Sequence, residues 1–386
     1  MGRGLLERLR GRVRLRQRLD TVFGGREHRR LARLGDYFRR GPLGLYSGWL
    51  GRGNVGDEAV YRAIVGLMGG LPLVDDERQP PEIGLHRRVL RGGGADLYLL
   101  GGGTVIGPVG FRQRLARAVE RRIPAVVFGA GVRDPEFWGG HGARPQLPRW
   151  APLLGRCRRV GVRGPRSAAL LGEAGFDDAE VIGDPALSFV TASLPRRTGR
   201  VVINLGSHDP IRGTPGELLA AVATTARVLR DGGAELRLVA LHSRDREPLR
   251  RLATRLGGAP LWCAPADLDG TVAQLADSDL VIGQRLHSVV LAMAAGVPAI
   301  SLAYNPKCDD FMASFDVPEL ALPTDRLTAD ALLSAVAGVD ARRDELTAQI
   351  RARGDYYRGL QRAFAAEVLA GVGLPGGDDT HGSRFS

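Results

Sequence analysis

Asp279-Leu-Val-Ile-Gly-Gln-Arg-Leu-His-Ser288, with its continuation to Lys307, is the stretch from which the fold is read. Leu280 to Ile282 is a short apolar run of the kind that fills a buried strand. Gly283 interrupts it, and Arg285 and His287 follow directly. Ser288 opens Val-Val-Leu-Ala-Met-Ala-Ala, a helical run closed by Gly296 and Pro298. A second buried strand, 298–304, ends in Tyr304-Asn-Pro-Lys307. Ligands of open α/β sheets bind beyond the carboxyl ends of the strands. Arg285, His287, Tyr304 and Lys307 are therefore expected at one crevice, where a guanidinium, an imidazole and an ammonium suit a small polyanion.

The same strand–loop–helix grammar extends in both directions. Toward the N-terminus it predicts strands at 201–205, 236–241 and 261–263, a helix from Thr214-Pro-Gly-Glu217 to Arg230, and another at 268–276. A stretch at 191–199, Thr-Ala-Ser-Leu-Pro-Arg-Arg-Thr-Gly, reads as a linker. Before it, strands are expected at 44–50, 71–74, 95–100, 124–128, 159–163 and 180–182, nearly all ending at glycine. Repeated β–loop–α units imply parallel sheets with helices on both faces. The expected fold class is α/β, two doubly wound, Rossmann-like domains in a GT-B-like arrangement. The expected divisions are an N-terminal domain over 41–192, a C-terminal domain with the donor site over 198–345, a C-terminal helix over 346–370, and a disordered Gly/Asp/Ser-rich tail over 371–386.

Residues 1–40 stand apart. They carry thirteen arginines against four acids, most of the net charge of +12, with leucines and valines near helical spacing. This basic amphipathic arm suits either an anionic membrane surface or the body of the protein. The charge is local and no nucleic-acid module is visible, so nucleic acid is not an expected partner. No apolar run reaches membrane-spanning length and no secretory signal is present. Cys157, Cys263 and Cys308 are too few and too scattered for a disulfide framework or a zinc site, which suggests a reducing, cytoplasmic setting. Seven histidines show no metal-ligand spacing, and neither a metal nor a cofactor is expected. Of 54 basic residues only Lys307 is a lysine. A chain that otherwise uses arginine throughout has a single compact point charge, and it falls in the motif region.

Other loops offer candidates with two readings each. Gly51-Arg-Gly-Asn-Val-Gly-Asp57 before a helix is either an anion cradle or a turn in which Asp57 caps the helix. It is neither a Walker loop nor a dinucleotide fingerprint. Gly101-Gly-Gly-Thr104 and Gly129-Ala-Gly131 let backbone approach a ligand closely. Residues 133–150, with Trp138 and Trp150, are irregular and read as a lid or a wall of the cleft. Asp184, before Pro185, is a turn residue or a group that orients sugar hydroxyls. His242 with Asp245, and His208 with Asp209, sit after strands and line either an acceptor site or ordinary loops.

Taken in order, Asn54-Val-Gly-Asp-Glu-Ala59, Gly101-Gly-Gly103, Gly129-Ala-Gly131, Val162-Arg-Gly-Pro-Arg-Ser167, Gly183-Asp-Pro-Ala186, Arg285-Leu-His287 and Gly296-Val-Pro298 through Tyr304-Asn-Pro-Lys307 make the chain resemble the polysaccharide pyruvyl transferase family. The likeness covers about residues 44–312. It implies an enzyme that joins the pyruvate unit of phosphoenolpyruvate, as a ketal, to two hydroxyls of a sugar, either a glycan or a lipid-linked saccharide. It also implies that Arg285, His287 and Arg163 contact the donor. The family's upstream motif often runs Arg-Asp before Ser; here it is Arg163-Gly-Pro-Arg-Ser167, which makes Arg166 a second candidate cation.

Read from the residues, Arg285 and Arg163 would clamp a carboxylate and a phosphate from opposite domains, and Lys307 would add charge. His287 is either the acid that protonates the methylene carbon, a phosphate ligand, or a structural histidine. Asn54, Asp57, Gly102, Gly103, Asp184 and His242 complete the expected substrate-binding set, with Asp57 and Asp184 as candidates for activating hydroxyls. Two other functions compete: a nucleotide-sugar glycosyltransferase on the same architecture, and a non-catalytic sugar-binding or scaffold protein. The first would favour an acidic residue placed to hold a ribose. The second would need no cationic cluster at the cleft.

Overall fold

Two runs of buried, β-branched-rich strands separated by helices build two parallel sheets. The computed structural model describes residues 42–69, 71–76, 95–190, 199–207 and 212–373. The basic arm, most of the linker, His208-Asp209 and most of the tail fall outside these residues. The first sheet holds β1 (Gly44–Ser47), β2 (Leu73–Asp75), β3 (Leu97–Ile106), β4 (Ala125–Val132), β5 (Arg159–Val162) and β6 (Glu180–Val181). Its order is β2-β1-β3-β4-β5-β6, all parallel. Helices α1 (Val55–Leu67), α2 (Val109–Glu120), α3 (Pro135–Gly140), α4 (Ala151–Leu154) and α5 (Pro165–Glu173) connect its strands.

The second sheet holds β7 (Arg200–Asn204), β8 (Glu235–Val239), β9 (Leu261–Trp262), β10 (Leu280–Gly283), β11 (Ala299–Ala303) and β12 (Ala321–Pro323), in the order β12-β11-β10-β7-β8-β9 and again parallel. Its helices are α6 (Pro215–Asp231), α7 (Arg246–Arg255), α8 (Leu268–Ala276), α9 (Leu286–Ala294), α10 (Pro306–Ser314), α11 (Ala329–Ala341) and α12 (Arg343–Gly371). Each sheet changes direction once, between β1 and β3 and between β7 and β10. Those switch points are where an open sheet leaves a crevice for a ligand.

Two glycine runs sit differently from expectation. Gly101–Gly103 and Gly129–Gly131 lie inside β3 and β4 rather than in loops after them. The reason is close packing: a Cβ on Gly101 would stand 2.2 Å from Tyr46 Cε2, and one on Gly102 2.3 Å from Val60 Cγ1. These glycines let a neighbouring strand residue and α1 press onto the sheet, so the strands continue through them.

The lobes share their interior. One apolar cluster runs from the α1 side of the first sheet through α9 and the second sheet to α12, and a second cluster covers the opposite face of the first sheet. α9 is buried at every residue, as an apolar helix between layers should be. α12 starts at Arg343 and runs to Gly371, slightly beyond the expected limits at both ends. It returns to the first lobe, where Phe364 meets Phe128 edge-on at 5.2 Å and Glu367 pairs with Arg159. Backbone also crosses between lobes: Asn54 bridges His242, and the Val55 amide donates to the Leu241 carbonyl at 2.9 Å.

Candidate active site

The turn from β10 into α9 is fixed by β7. Asn204, fully buried, accepts the Gln284 amide on its carbonyl at 3.0 Å and the Arg285 amide on Oδ1 at 2.9 Å. Its Nδ2 donates to the Val239 carbonyl at 2.8 Å. Arg285 thus stands at the head of α9 in extended conformation, at the second lobe's switch point. Its guanidinium is already held: Nε donates to Asp245 Oδ2 at 2.5 Å and Nη2 to Asp245 Oδ1 at 2.6 Å. Asp245 is fully buried and also accepts the Leu241 and His242 amides. The Arg285 expected to clamp the donor is thus partly engaged within the protein. One edge is bound in the protein, and Nη1 is the nitrogen left for a ligand.

His287 follows in the first turn of α9 and is 8% exposed. Its ring lies against Gly56, where a Cβ would come within 2.1 Å of Cγ and Nδ1. Only glycine permits that approach. His287 Nε2 lies 3.6 Å from Asp184 Oδ2, an ion-pair distance rather than a good hydrogen bond. Asp184 is fully buried; Oδ1 accepts the Ala186 amide at 3.0 Å, which caps the short helix at 185–188. Burial alone would raise the Asp184 carboxyl. The charges of His287 and Arg163, with the hydrogen bond from the Ala186 amide, outweigh it and hold the carboxyl below its ordinary range.

Arg163 completes this group from the end of β5. It is 1% exposed, with Nη1 4.0 Å from Asp184 Oδ2, and it lies over Gly131, where a Cβ would meet Nη2 at 2.4 Å. Among the described residues, seven buried side-chain polar atoms have no hydrogen-bond partner. Four of them are Arg163 Nε, Arg163 Nη2, Asp184 Oδ2 and His287 Nε2. Proteins rarely leave buried polar atoms unpaired, so such a concentration makes this cluster a candidate ligand site.

Asp57 stands in the first turn of α1, with Oδ2 accepting Asn54 Nδ2 at 2.7 Å. Solvent reaches it through the cleft, yet protein surrounds it. Burial pushes its carboxyl up to about 6, against the opposing pull of His287, Lys307 and Arg285. Those three cations therefore act on one carboxylate, as a shared crevice requires. Asn54, not Asp57, caps α1, its Oδ1 accepting the Gly56 amide at 3.1 Å. Lys307 is in the first turn of α10, its Nζ 4.9 Å from the centroid of the buried Tyr304 ring. Burial raises the Tyr304 phenol, while Lys307 and Arg285 pull it back.

The remaining candidates divide. A Cβ on Gly103 would lie 3.0 Å from Trp49 and 3.8 Å from Asp57 Oδ1, which puts this glycine beside the cleft; Gly102 packs on Val60. His242 is bound on both nitrogens. Nδ1 accepts the Arg244 amide at 2.9 Å, so Nε2 carries the proton toward the Arg52 carbonyl at 3.1 Å. Burial and the Arg285 charge lower its pKa, with Asp245 opposing, which agrees with a neutral ring. It ties the lobes together. Arg166 is paired with Asp134, so Arg163 is the cation that faces Asp184.

Three supporting residues escape a reading of the sequence. Asp245 stands out only as a neighbour of His242, and its partner Arg285 is 40 residues away. Asp310, on α10, accepts Ser167 Oγ at 2.6 Å and the Arg166 amide at 2.9 Å, which fixes the turn after Arg163. Gln361, fully buried on α12, donates to the carbonyls of Ile182 and Asp184 at 3.0 Å each and accepts Ser188 Oγ at 2.6 Å. A glutamine within the apolar stripe Tyr357, Phe364, Val368 was the available signal for it. No group of three or more His, Cys, Asp or Glu among the described residues could hold a metal ion.

Two doubly wound lobes with a charged cleft between them define a GT-B-like architecture. Solved structures share the fold. MnaA of S. aureus, determined with UDP, superimposes with a TM-score of 0.58 over 89% of this chain and 100% of its own, at 13% identity. The UDP-GlcNAc 2-epimerase of Neisseria meningitidis gives 0.56 over 85% and 99%, at 11% identity. The chain belongs to the polysaccharide pyruvyl transferase family, a family of transferases, whose sequence profile matches residues 22–306. It is also similar to the amylovoran biosynthesis protein AmsJ of Erwinia amylovora, 31% identical over 99 residues. That match spans 26% of this chain and 24% of the relative.

Proposed function

We propose that this protein transfers the pyruvate unit of phosphoenolpyruvate to two hydroxyls of a saccharide, forming a cyclic ketal and releasing phosphate. The observation that carries the reading is the buried set Arg163, Asp184 and His287, whose side chains keep atoms without hydrogen-bond partners, together with Asp57, on which the charges of His287, Lys307 and Arg285 all act. A donor with a carboxylate and a phosphate on one carbon offers acceptor oxygens to both arginines. Proton delivery from His287 to the methylene carbon makes it a methyl group and leaves an oxocarbenium-like centre at C2. A sugar hydroxyl adds there and loses its proton, the C2–O bond breaks so that phosphate leaves with the bonding pair and C2 is cationic again, and the second hydroxyl adds to it and loses its proton to close the ring. Asp57, with its carboxyl near 6, is suited to take a hydroxyl proton.

The test is incubation with phosphoenolpyruvate and a panel of saccharides. Phosphate release should match a mass gain of one pyruvic acid less one water on the acceptor. Phosphate release without that gain, or neither across a panel that includes lipid-linked sugars, would overturn the reading. As an acid, His287 predicts that His287→Gln keeps donor affinity within about tenfold, ~1.4 kcal/mol, while turnover is lost. Equal loss of both would make it a phosphate ligand instead.

The acceptor's anchoring is a finer proposal. A lipid-linked saccharide at the cytoplasmic face of a membrane would give the Arg-rich residues 1–40 a role on anionic lipid. No described helix is long and apolar enough to cross a membrane. Deleting residues 1–40 should abolish sedimentation with anionic vesicles and spare turnover on a soluble acceptor. Unchanged sedimentation would remove the membrane role.

A further inference from the structure

Among the described residues, one cation at the end of β4 has no hydrogen-bond or ion-pair partner for its side chain. Arg133 follows the strand directly, and its amide continues the ladder to the Ile106 carbonyl at 2.8 Å. Its guanidinium lies over the Trp138 indole, 4.0 Å from the ring centroid, and no carboxylate or carbonyl of the described residues binds it. The neighbouring acid Asp134 is turned away, paired with Arg166 and capping α3. Burial lowers the guanidinium's pKa, with no nearby carboxylate countering it. A flat guanidinium stacked on an indole keeps its in-plane N–H groups pointing outward, ready for a bidentate anion.

Position ties this cation to the cleft. Gly131 faces the Arg163 guanidinium. Residues two apart on an extended strand share a face, about 7 Å from one another. Arg133 therefore lies on the Arg163 side of the sheet, one step farther along β4 toward the cleft mouth. Phe137 meets Trp138 and His141 edge-on at 6.0 and 4.8 Å, which gives the rim an aromatic shelf of the kind that sugar rings pack against.

We propose that Arg133, held over Trp138, forms an acceptor subsite that recognises an anionic substituent on the saccharide, a uronate carboxylate or a sugar-linked phosphate. This inference rests on the pyruvyl-transfer reading for its acceptor, yet it is tested separately from the donor site. With phosphoenolpyruvate saturating the full-length protein, methyl β-glucuronide, glucose 1-phosphate and neutral methyl β-glucoside are titrated by saturation-transfer NMR. The wild type should bind at least one anionic probe about tenfold more tightly than the neutral one, and the stronger of the two identifies the source of the charge. Arg133→Gln should bring all three within about twofold of one another. Trp138→Ala should lose part of the preference. Phosphoenolpyruvate affinity, measured by calorimetry, should stay within about twofold in both variants.

No preference for charge in the wild type would overturn the proposal, as would a preference that survives Arg133→Gln. A parallel fall in phosphoenolpyruvate affinity would also overturn it, by moving Arg133 to the donor. Absence of phosphoenolpyruvate binding to the wild type would instead sink the donor assignment and leave the probe preferences to be read by themselves.

Discussion

The two lobes bring opposite kinds of groups to the cleft. In the second lobe Arg285 arrives already paired: Asp245 holds one edge of its guanidinium, and Asn204 holds its backbone. In the first lobe Arg163 and Asp184 arrive with hydrogen-bonding atoms unmatched, 4.0 Å from each other and shut away from water. One side of the site is rigid without ligand, and the other is incomplete without it. Donor binding should therefore draw most of its gain from the first lobe, where unpaired polar atoms acquire partners, while the second lobe sets the geometry.

The largest effect that could break this contrast is on stability. Asp245→Ala removes the carboxylate between Arg285 and two backbone amides, leaving a charge and two donors unmatched. It should cost about 3–5 kcal/mol, read by denaturant unfolding. Arg163→Gln should cost the unliganded fold far less. If Arg163→Gln proved as destabilising as Asp245→Ala, the first lobe would be as self-sufficient as the second.

A smaller effect sharpens the seam between the lobes. Gly56→Ala places a methyl group where the His287 ring lies, 2.1 Å from Cγ, and must displace the imidazole. Turnover should fall by roughly a hundredfold, ~3 kcal/mol, with circular dichroism unchanged. Full activity in that variant would mean that His287 need not sit where it does. Gln361→Leu should act more mildly. It frees the carbonyls of Ile182 and Asp184 and should cost about 1–3 kcal/mol of stability, with turnover falling more than donor affinity as Asp184 loses its fixed position.

Asp57 supplies the smallest effect, and its sign is opposite to that of a salt-bridged acid. Burial raises its carboxyl to about 6, so the folded protein keeps a proton that the unfolded chain releases near 4. Stability should fall as pH rises from about 4 through about 6. Asp57→Asn should melt above the wild type at about pH 7.5, with the difference shrinking toward about pH 4. A lower melting temperature for the variant at the higher pH would show the carboxylate to be stabilising.

Much of this was legible in the sequence because it is local. Short apolar runs ending near glycine pointed to the two parallel sheets, and one strand–helix–strand stretch carried the expectation that Arg285, His287, Tyr304 and Lys307 share a crevice beyond the strand ends. The hidden part is long-range pairing. Nothing near Asp245 points to Arg285, nothing near Gln361 points to Asp184, and Asp310 reaches Ser167 from 143 residues away. The glycine runs misled for a related reason. A glycine that admits a neighbouring helix and one that admits a ligand look alike until the neighbour is known, and Gly101 and Gly102 turned out to admit protein.

On the proposed function, the buried, unmatched atoms of the first lobe would be the donor's binding partners. Calorimetric titration of phosphoenolpyruvate into the wild type and Arg163→Gln tests it most directly. Saturable binding to the wild type, weakened about a hundredfold or ~3 kcal/mol in the variant, is the predicted result. Equal affinity in the two proteins would contradict it.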